Sequence, residues 1–195
     1  MTTADRQRWE EHFAAGKGFR EVDAHETRLL AAAVQPRAGQ RALDVGCGLG
    51  RYAAVLAGLG CRTLAVDWSD AAVSAVRDRY TDLEPRLAVR RLDFEDTAEA
   101  AARLPRAGFD LVTMRLALAF MADKTAVSTR VRALLAPGGR WLVTTPLTHR
   151  LPEARRSIGL SPQDVAAMTE GWSDGCWYDL EPGGPRCFVL RMPPE

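Results

Sequence analysis

The sequence predicts an α/β protein: a mostly parallel sheet covered by helices on both faces and closed by an antiparallel hairpin. Apolar runs of strand length alternate with segments of helical periodicity between residues 41 and 145. The connections between them are short, which favours parallel neighbouring strands joined by helical crossovers. Beyond this region two apolar runs flank a Gly-Gly-Pro turn, as expected for a hairpin.

The first half of this alternation contains three predicted strands and three predicted helices. The strands are expected at residues 41–45, 61–67 and 86–93, and the helices at residues 51–59, 68–80 and 97–104. Ser69 or Asp70 suits the N-cap of the second helix, whose apolar side carries Ala72, Val73 and Val76. This side of the helix is expected to pack on the sheet.

The second half supplies the fourth and fifth strands, at residues 109–114 and 140–145. Between them Val127, Val131, Leu134 and Leu135 follow helical spacing, and a Pro-Gly-Gly sequence then ends the helix. These segments complete the parallel part of the predicted sheet.

The last quarter of the chain has a different pattern. Residues 146–160 show no clear period and are expected to form a loop. Ser161 is a good N-cap for a helix with Pro162 in its first turn. The hairpin strands follow at residues 176–182 and 186–192, which brings the predicted number of strands to seven.

Composition and charge exclude several classes of protein. The 195 residues suffice for one domain with a substantial core, and 47% are hydrophobic, which argues against disorder. The net charge of +1 gives no general attraction to nucleic acid or to an anionic membrane. No apolar run approaches the roughly 18 residues that a membrane span requires, and the first residues do not resemble a signal peptide. A soluble, cytoplasmic protein is therefore expected.

The cysteines and histidines predict no metal site. The four cysteines, Cys47, Cys61, Cys176 and Cys187, form no Cys-x-x-Cys pair, and the three histidines share no ligand spacing with them. Free thiols in a reducing compartment are expected. The chain also has no Asn, one Ile and two Lys beside abundant Ala, Arg and Gly, which indicates a GC-rich, bacterial genome.

A glycine-rich turn directly follows the first predicted strand, in the sequence RALDVGCGLGRY. Dinucleotide-binding proteins use Gly-x-Gly-x-x-Gly, but this frame, read from Gly46 and Gly48, ends on Arg51 instead of glycine. The turn instead has Asp44 followed by glycines at every second position, the last being Gly50. An acidic residue here suits a cationic amino group and would repel a pyrophosphate.

This turn resembles the first motif of the class I S-adenosylmethionine-dependent methyltransferases, in their small-molecule branch. The resemblance implies a Rossmann-like three-layer sandwich with a seven-stranded sheet. It also implies S-adenosylmethionine as the cofactor and S-adenosylhomocysteine as the product. The implied cofactor contacts in this turn are Asp44, Gly46, Cys47, Gly48 and Gly50, with Cys47 acting through its backbone.

The ends of the second and third strands extend the resemblance. Asp67 stands where the family binds the ribose hydroxyls, and Trp68 beside it is suited to cover the adenine. Asp93 stands where the family binds the adenine amine, with Phe94 next to the ring. Other roles stay open: Asp67 and Asp93 also suit caps of the segments that follow them, and both aromatic residues suit a core.

The resemblance continues at the fourth strand, where Met114 and Arg115 are expected near the methionine end of the cofactor. Many relatives have a histidine at the position of Phe120, so the base that this histidine would provide is missing. The catalytic residues are therefore unknown. His149 and His12 are candidates for a base, and Arg150 is a candidate for binding an anionic acceptor. The alternative for His149 is a solvated loop residue, and the alternative for Arg150 is a charged surface.

The N-terminal sequence carries the aromatic residues Trp9, Phe13 and Phe19, and resembles the leader of small-molecule methyltransferases that folds over the cofactor. Its spacing equally suits one face of a packed helix. The predicted organisation is a single domain. It comprises a helical lid segment at residues 1–40, a cofactor-binding core at 41–145, and a substrate loop, helix and hairpin at 146–195.

The predicted reaction is methyl transfer to an oxygen or nitrogen of a small molecule, with sulfur or carbon less favoured. The chain lacks both the Asn/Asp-Pro-Pro-aromatic motif of amino methylation and a Pro-Cys nucleophile, so no nucleic-acid partner is expected. Two other functions remain open: a non-catalytic protein that binds the same cofactor, and an NAD-dependent oxidoreductase on a similar fold. The oligomeric state is not predicted.

Overall fold

The structure is a computed structural model that describes residues 3–194. The chain divides into two compact units, Met1–Arg103 and Leu104–Glu195. The first unit contains the glycine-rich turn, and the second contains the fourth strand and everything that follows it.

The first unit consists of five helices and a three-stranded sheet within the described residues. Its helices are α1 (Thr3–Ala14), α2 (Ala24–Val34), α3 (Arg51–Gly58), α4 (Asp70–Arg79) and α5 (Thr97–Arg103). Its strands are β1 (Arg41–Val45), β2 (Arg62–Asp67) and β3 (Leu87–Arg91). Every strand and helix predicted between residues 41 and 104 is confirmed, with ends that differ by at most two residues.

The three strands of the first unit are parallel, with β2 between β1 and β3. Val45 is level with Val66, and Asp67 is level with Arg91, so that the three carboxyl ends lie at one edge of this sheet. The helices α3 and α4 pack on it through small and branched residues. The buried core there consists of Ala53, Ala57, Ala65, Val76 and Leu87.

Side chains fix where two helices of this unit begin. The hydroxyl of Ser69 accepts from the N–H of Ala72 at 3.0 Å, so that Ser69 caps α4 and Asp70 is its first residue. Asp23 accepts from the N–H of Glu26 at 2.8 Å and caps α2 in the same way. These caps satisfy N–H groups that have no partner within the helix.

The second unit contains two helices and four strands within the described residues. They are β4 (Phe109–Arg115), α6 (Lys124–Leu134), β5 (Leu135–Thr145), α7 (Pro162–Thr169), β6 (Asp174–Asp179) and β7 (Arg186–Arg191). β4 and β5 are parallel, while β7 is antiparallel to both β5 and β6. The predicted terminal hairpin is confirmed.

Two sequence predictions for this unit need correction. β5 begins at Leu135, not at residue 140, because the strand continues through the Pro-Gly-Gly sequence after an irregularity in its pairing with β4. Residues 146–160 are not a structureless loop but contain two 3₁₀ turns, Thr148–Arg150 and Glu153–Ile158. An isolated bridge between Leu147 and Leu160 closes this segment.

The predicted fold class is confirmed. The seven strands have the order β3-β2-β1-β4-β5-β7-β6, with a parallel part and an antiparallel C-terminal hairpin, and helices flank them. This is the Rossmann-like α/β architecture expected from the sequence. No helix within residues 3–194 combines the length and hydrophobicity needed to cross a lipid bilayer.

Candidate functional site

Three acidic residues lie at or just beyond the carboxyl ends of β1, β2 and β3. Asp44 is the last but one residue of β1, Asp67 is the last residue of β2, and Asp93 follows β3 by two positions. Parallel pairing brings these ends to one edge of the sheet, which is the edge where ligands of open α/β sheets bind. The three acids therefore lie at the same edge of this sheet.

The glycine-rich turn leaves β1 through backbone conformations that favour glycine. Gly46, Gly48 and Gly50 have φ values of 67°, 50° and 73°. At Gly50 an added Cβ would lie 2.6 Å from Cγ2 of Val76, so packing against α4 also requires glycine there. The turn is thus held close to α4 and leads directly into α3.

Asp67 connects this turn to the start of α4. Its Oδ2 accepts from the N–H of Gly48 at 2.9 Å, and its Oδ1 accepts from the N–H of Ser69 at 3.0 Å. The side chain is buried at 5% exposure, and this burial raises the pKa of Asp67, although the two backbone N–H groups act in the opposite direction. The Glu10 carboxylate also raises this pKa. Each carboxylate oxygen keeps a lone pair for a further donor.

Cys47 contributes no reactive thiol to the turn. Burial raises the pKa of Cys47 well above its ordinary value, and the charges of Asp67 and Asp44 raise it further. The thiol is therefore protonated at neutral pH.

Asp93 binds a residue of α1. Its Oδ2 accepts from Nη2 of Arg6 at 2.5 Å, and its Oδ1 accepts from the N–H of Glu95 at 3.1 Å. The cap of α5 is instead Asp96, whose carboxylate accepts from the N–H of Glu99 at 2.9 Å. The alternative role for Asp93 as the cap of the following helix is therefore wrong.

The two aromatic residues beside these acids differ in exposure. Trp68 is half-buried, and the guanidinium of Arg6 lies 5.2 Å from the centre of its ring. Phe94 is buried at 4% exposure and packs in the core. Trp68 thus borders the predicted site, while the core alternative describes Phe94 better.

The helix α1 lies over the turn and the start of α4. An added Cβ at Gly48 would lie 3.1 Å from Cε1 of Phe13, so the Phe13 ring covers this glycine. Glu10 accepts from the N–H of Ala71 at 2.8 Å and so binds a free N–H in the first turn of α4. The helix α1 therefore contacts both the glycine-rich turn and the start of α4.

An aromatic cluster forms the outer side of the contact between α1 and the glycine-rich turn. The ring of Trp9 lies 5.7 Å from that of Phe13, 5.3 Å from that of His12 and 5.0 Å from that of Phe19. The His12 Nε2 atom is buried within this cluster and makes no hydrogen bond within the described part of the chain. Phe19 is exposed at 42% and forms the edge of the cluster.

Three contacts of this site were not predicted from the sequence. Arg6 and Glu10 bind Asp93 and α4, and Arg51 forms an ion pair with Glu21. Arg51 occupies the position at which a dinucleotide-binding turn has its third glycine. One side of α1 carries Arg6, Glu10 and Phe13 at helical spacing. This pattern could have indicated the contacts of Arg6 and Glu10.

The remaining candidates lie in the second unit. Met114 is buried and Arg115 half-buried at the end of β4, and His149 is exposed in the first 3₁₀ turn. Phe120 lies in another 3₁₀ turn, Leu118–Phe120.

Arg150 is held by partners in the terminal hairpin. It donates to Asp179 Oδ2 at 3.0 Å and to the carbonyl oxygen of Gly184 at 3.1 Å, and so ties its turn to the hairpin. Arg186 donates to both oxygens of Asp179, at 2.7 and 3.1 Å. This bidentate contact, together with Arg150, lowers the pKa of Asp179 to about 2.

The residues at the sheet edge fit an adenosine with a charged amino acid better than they fit a dinucleotide. Carboxylates accept from ribose hydroxyls and from an exocyclic amine, and Trp68 offers a face for stacking. Residues 3–194 contain no group of three or more His, Cys, Asp or Glu side chains suited to a metal ion. A parallel sheet with a glycine turn after β1 and acids after β2 and β3 defines the class I S-adenosylmethionine-dependent methyltransferases.

Comparison with known proteins agrees with this class. Residues 43–141, just over half of the chain, match the family described as a methyltransferase domain. The chain therefore belongs to the S-adenosylmethionine-dependent methyltransferase family.

Two curated relatives and one solved structure illustrate the family's range. A ubiquinone biosynthesis O-methyltransferase of Xanthomonas axonopodis pv. citri is 30% identical over 147 residues, covering 75% of this chain and 59% of the relative. A ribosomal protein L11 methyltransferase of Thermus thermophilus is 33% identical over 160 residues, covering 80% and 59%. The chain thus spans about three-fifths of the length of these relatives.

The solved structure is that of the cyclase SpnF. It superposes with a TM-score of 0.76 at 17% identity and covers 97% of this chain and 95% of that protein. This similarity concerns the fold alone, and a shared fold does not determine the reaction.

Proposed function

We propose that this chain transfers the methyl group of S-adenosylmethionine to an oxygen or nitrogen of a small molecule, with sulfur or carbon acceptors less favoured. The observation that supports the proposal most is the arrangement at the sheet edge, where Asp67 holds the turn through Gly48 while Asp93 follows the neighbouring strand. Membership of the family supplies the cofactor class.

The cofactor contacts are proposed from these residues. Asp67 would accept from the ribose hydroxyls, Asp93 from the adenine amine, and Asp44 would attract the amino group. Trp68 would cover the adenine, and Gly48 would let the ligand approach the backbone. Met114 and Arg115 remain candidates from the family resemblance alone. The bound cofactor supplies a methyl group on a positively charged sulfur, which is the electrophile.

The protein's own contribution is to bind, orient and exclude water. The aromatic side of α1, with Trp9 and Phe13, lies over the turn and is proposed as the lid that covers the reacting groups. A removal of residues 1–20 should change the rate at which the cofactor dissociates. An unchanged rate would contradict the lid.

No general base is assigned. His149 is exposed in its turn, and the Nε2 atom of His12 is buried among aromatic rings without a hydrogen bond in residues 3–194. An acceptor whose hydroxyl is acidic enough to ionise at neutral pH would need no base. An acidic phenol therefore suits this chain best.

The proposed acceptor is a small molecule, in line with the relative named for ubiquinone biosynthesis. The relative named for ribosomal protein L11 supports a second candidate, which is a protein acceptor. Transfer of a radiolabelled methyl group separates the two: label in a panel of phenols and amines supports the first, and label only in a protein fraction supports the second. S-adenosylhomocysteine binding without any transfer would support a non-catalytic binding protein.

A further inference from the structure

We propose that Arg6 of α1 is an internal competitor for the adenine of the cofactor, so that α1 restrains cofactor binding until Arg6 moves away. This inference rests on the proposed function, because it requires Asp93 and Trp68 to form the adenine subsite. It concerns a residue for which neither the sequence motifs nor the family resemblance predicts a role.

The contacts of Arg6 carry the argument. Its Nη2 donates to Asp93 Oδ2 at 2.5 Å, and its guanidinium lies over the Trp68 ring at 5.2 Å. Arg6 thus uses together the two groups that the site offers to an adenine.

The chemistry of the two ligands is closely similar. Adenine is planar, donates an N–H from its exocyclic amine and stacks on an aromatic face. A guanidinium is also planar, donates N–H groups in its plane and stacks on aromatic rings. Arg6 therefore makes with Asp93 and Trp68 the same two interactions that would hold adenine, and both groups cannot make them at once.

Two further observations indicate that α1 covers the glycine-rich turn and Asp67 in this arrangement. Phe13 lies against Gly48, where an added Cβ would come within 3.1 Å of its ring. Asp67, which is proposed to bind the ribose, is only 5% exposed. Entry of a nucleoside requires α1 to shift, and Arg6 holds the end of α1 that lies on the adenine side.

The strength of this restraint is modest. The side chains of Arg6 and Asp93 are 33% and 20% exposed, so water and salt weaken their attraction. The ligand must displace this contact. Its apparent affinity is therefore the intrinsic affinity multiplied by the fraction of molecules in which α1 is open. We expect a restraint of about threefold to tenfold in the dissociation constant.

The test compares Arg6→Ala with Arg8→Ala by titration calorimetry with S-adenosylhomocysteine. Arg8 lies on the same helix, carries the same charge and is exposed, so it is the matched control. Arg6→Ala should bind about threefold to tenfold more tightly than the unchanged chain, and Arg8→Ala should bind with unchanged affinity. Adenosine alone should show the same gain, and the gain should decrease at high salt.

Each remaining result would overturn either the inference or the proposed function. Unchanged affinity of Arg6→Ala overturns the inference, and weaker binding overturns it too, because Arg6 would then hold the cofactor. An equal gain for Arg8→Ala would attribute the effect to the net charge of α1, which also overturns it. If neither the unchanged chain nor Arg6→Ala binds S-adenosylhomocysteine or adenosine, the proposed function itself fails.

Discussion

The N–H of Gly48 donates to the carboxylate of Asp67 at 2.9 Å, and this contact links the turn after β1 to the end of β2. Asp67 also accepts from the N–H of Ser69, so one buried carboxylate fixes both the turn and the start of α4. The proposed ribose contact and the shape of the turn therefore depend on the same side chain.

Replacement of Asp67 by alanine should weaken the binding of S-adenosylhomocysteine by about 100-fold, because two charge-assisted hydrogen bonds to the ribose are lost. The variant should remain folded but be less stable, because the N–H groups of Gly48 and Ser69 lose their acceptor. Calorimetry measures the affinity, and circular dichroism measures the fold. Asp70→Ala is the matched control, because Asp70 is a neighbouring carboxylate whose side chain is 80% exposed. Equal affinities of the two variants would refute the ribose assignment.

Replacement of Gly48 by alanine should abolish most cofactor binding. Its φ of 50° strains any other residue, and the new methyl group would press on Phe13 and obstruct the ligand. Gly39→Ala is the control, because Gly39 has a φ of 83° but no atom within 4 Å of an added Cβ. Both variants should lose about 1 kcal/mol of stability from backbone strain. Only Gly48→Ala should lose affinity, and retained affinity would contradict a close approach of the ligand to this turn.

The hairpin of the second unit should lose stability in acid. Its bidentate contact with Arg186, joined by Arg150, lowers the pKa of Asp179 to about 2, below its unfolded value of 3.8. The stabilisation is therefore complete above about pH 5 and disappears as the pH falls through 4 toward 2. Because Asp179 is partly exposed, we expect roughly 1 kcal/mol.

The measurement is urea unfolding of the unchanged chain and of Asp179→Asn between pH 2 and pH 7. Their difference in unfolding free energy should be constant near neutrality and vanish in acid. Asp174→Asn is the control, since Asp174 pairs with Arg191 while 63% exposed. A difference that stays constant down to pH 2 would refute the cause given for the lowered pKa of Asp179.

Replacement of His12 by phenylalanine should raise the free energy of unfolding by up to about 1 kcal/mol. The ring shape is kept, and a buried nitrogen without a hydrogen bond in the described part of the chain is removed from the aromatic cluster. Urea unfolding at neutral pH measures the change, and His149→Phe in its exposed turn should leave stability unaltered. A loss of more than 1 kcal/mol would show that His12 has a stabilising partner.

The sequence predicts the elements of the first unit well because strand and helix signals there agree with their caps and turns. Ser69 and the glycines after β1 fix where elements end, so the boundaries between residues 41 and 104 were predicted within two residues. β5 was predicted too short because Pro-Gly-Gly was expected to end the preceding helix and to precede the strand, whereas the tertiary pairing of Leu135 with Phe109 begins the strand before it.

The candidate site, like the fold, could be predicted from the sequence only in part. Acids at strand ends are predictable, because the register of parallel strands brings those ends together. The role of α1 was only partly predictable, since Arg6 and Glu10 on its contact side look like residues that face solvent. The ion pair of Arg150 with Asp179 was not predicted, because the two residues lie 29 positions apart and no local pattern indicates the pairing.

A crystal structure of this chain grown with saturating S-adenosylhomocysteine tests the central claim most directly. We predict that both ribose hydroxyls donate to Asp67, that the adenine lies between Trp68 and Asp93, and that Arg6 has left Asp93. A pyrophosphate-bearing molecule at that edge of the sheet, or Phe13 still packed on Gly48 with no nucleoside beside it, would contradict the account.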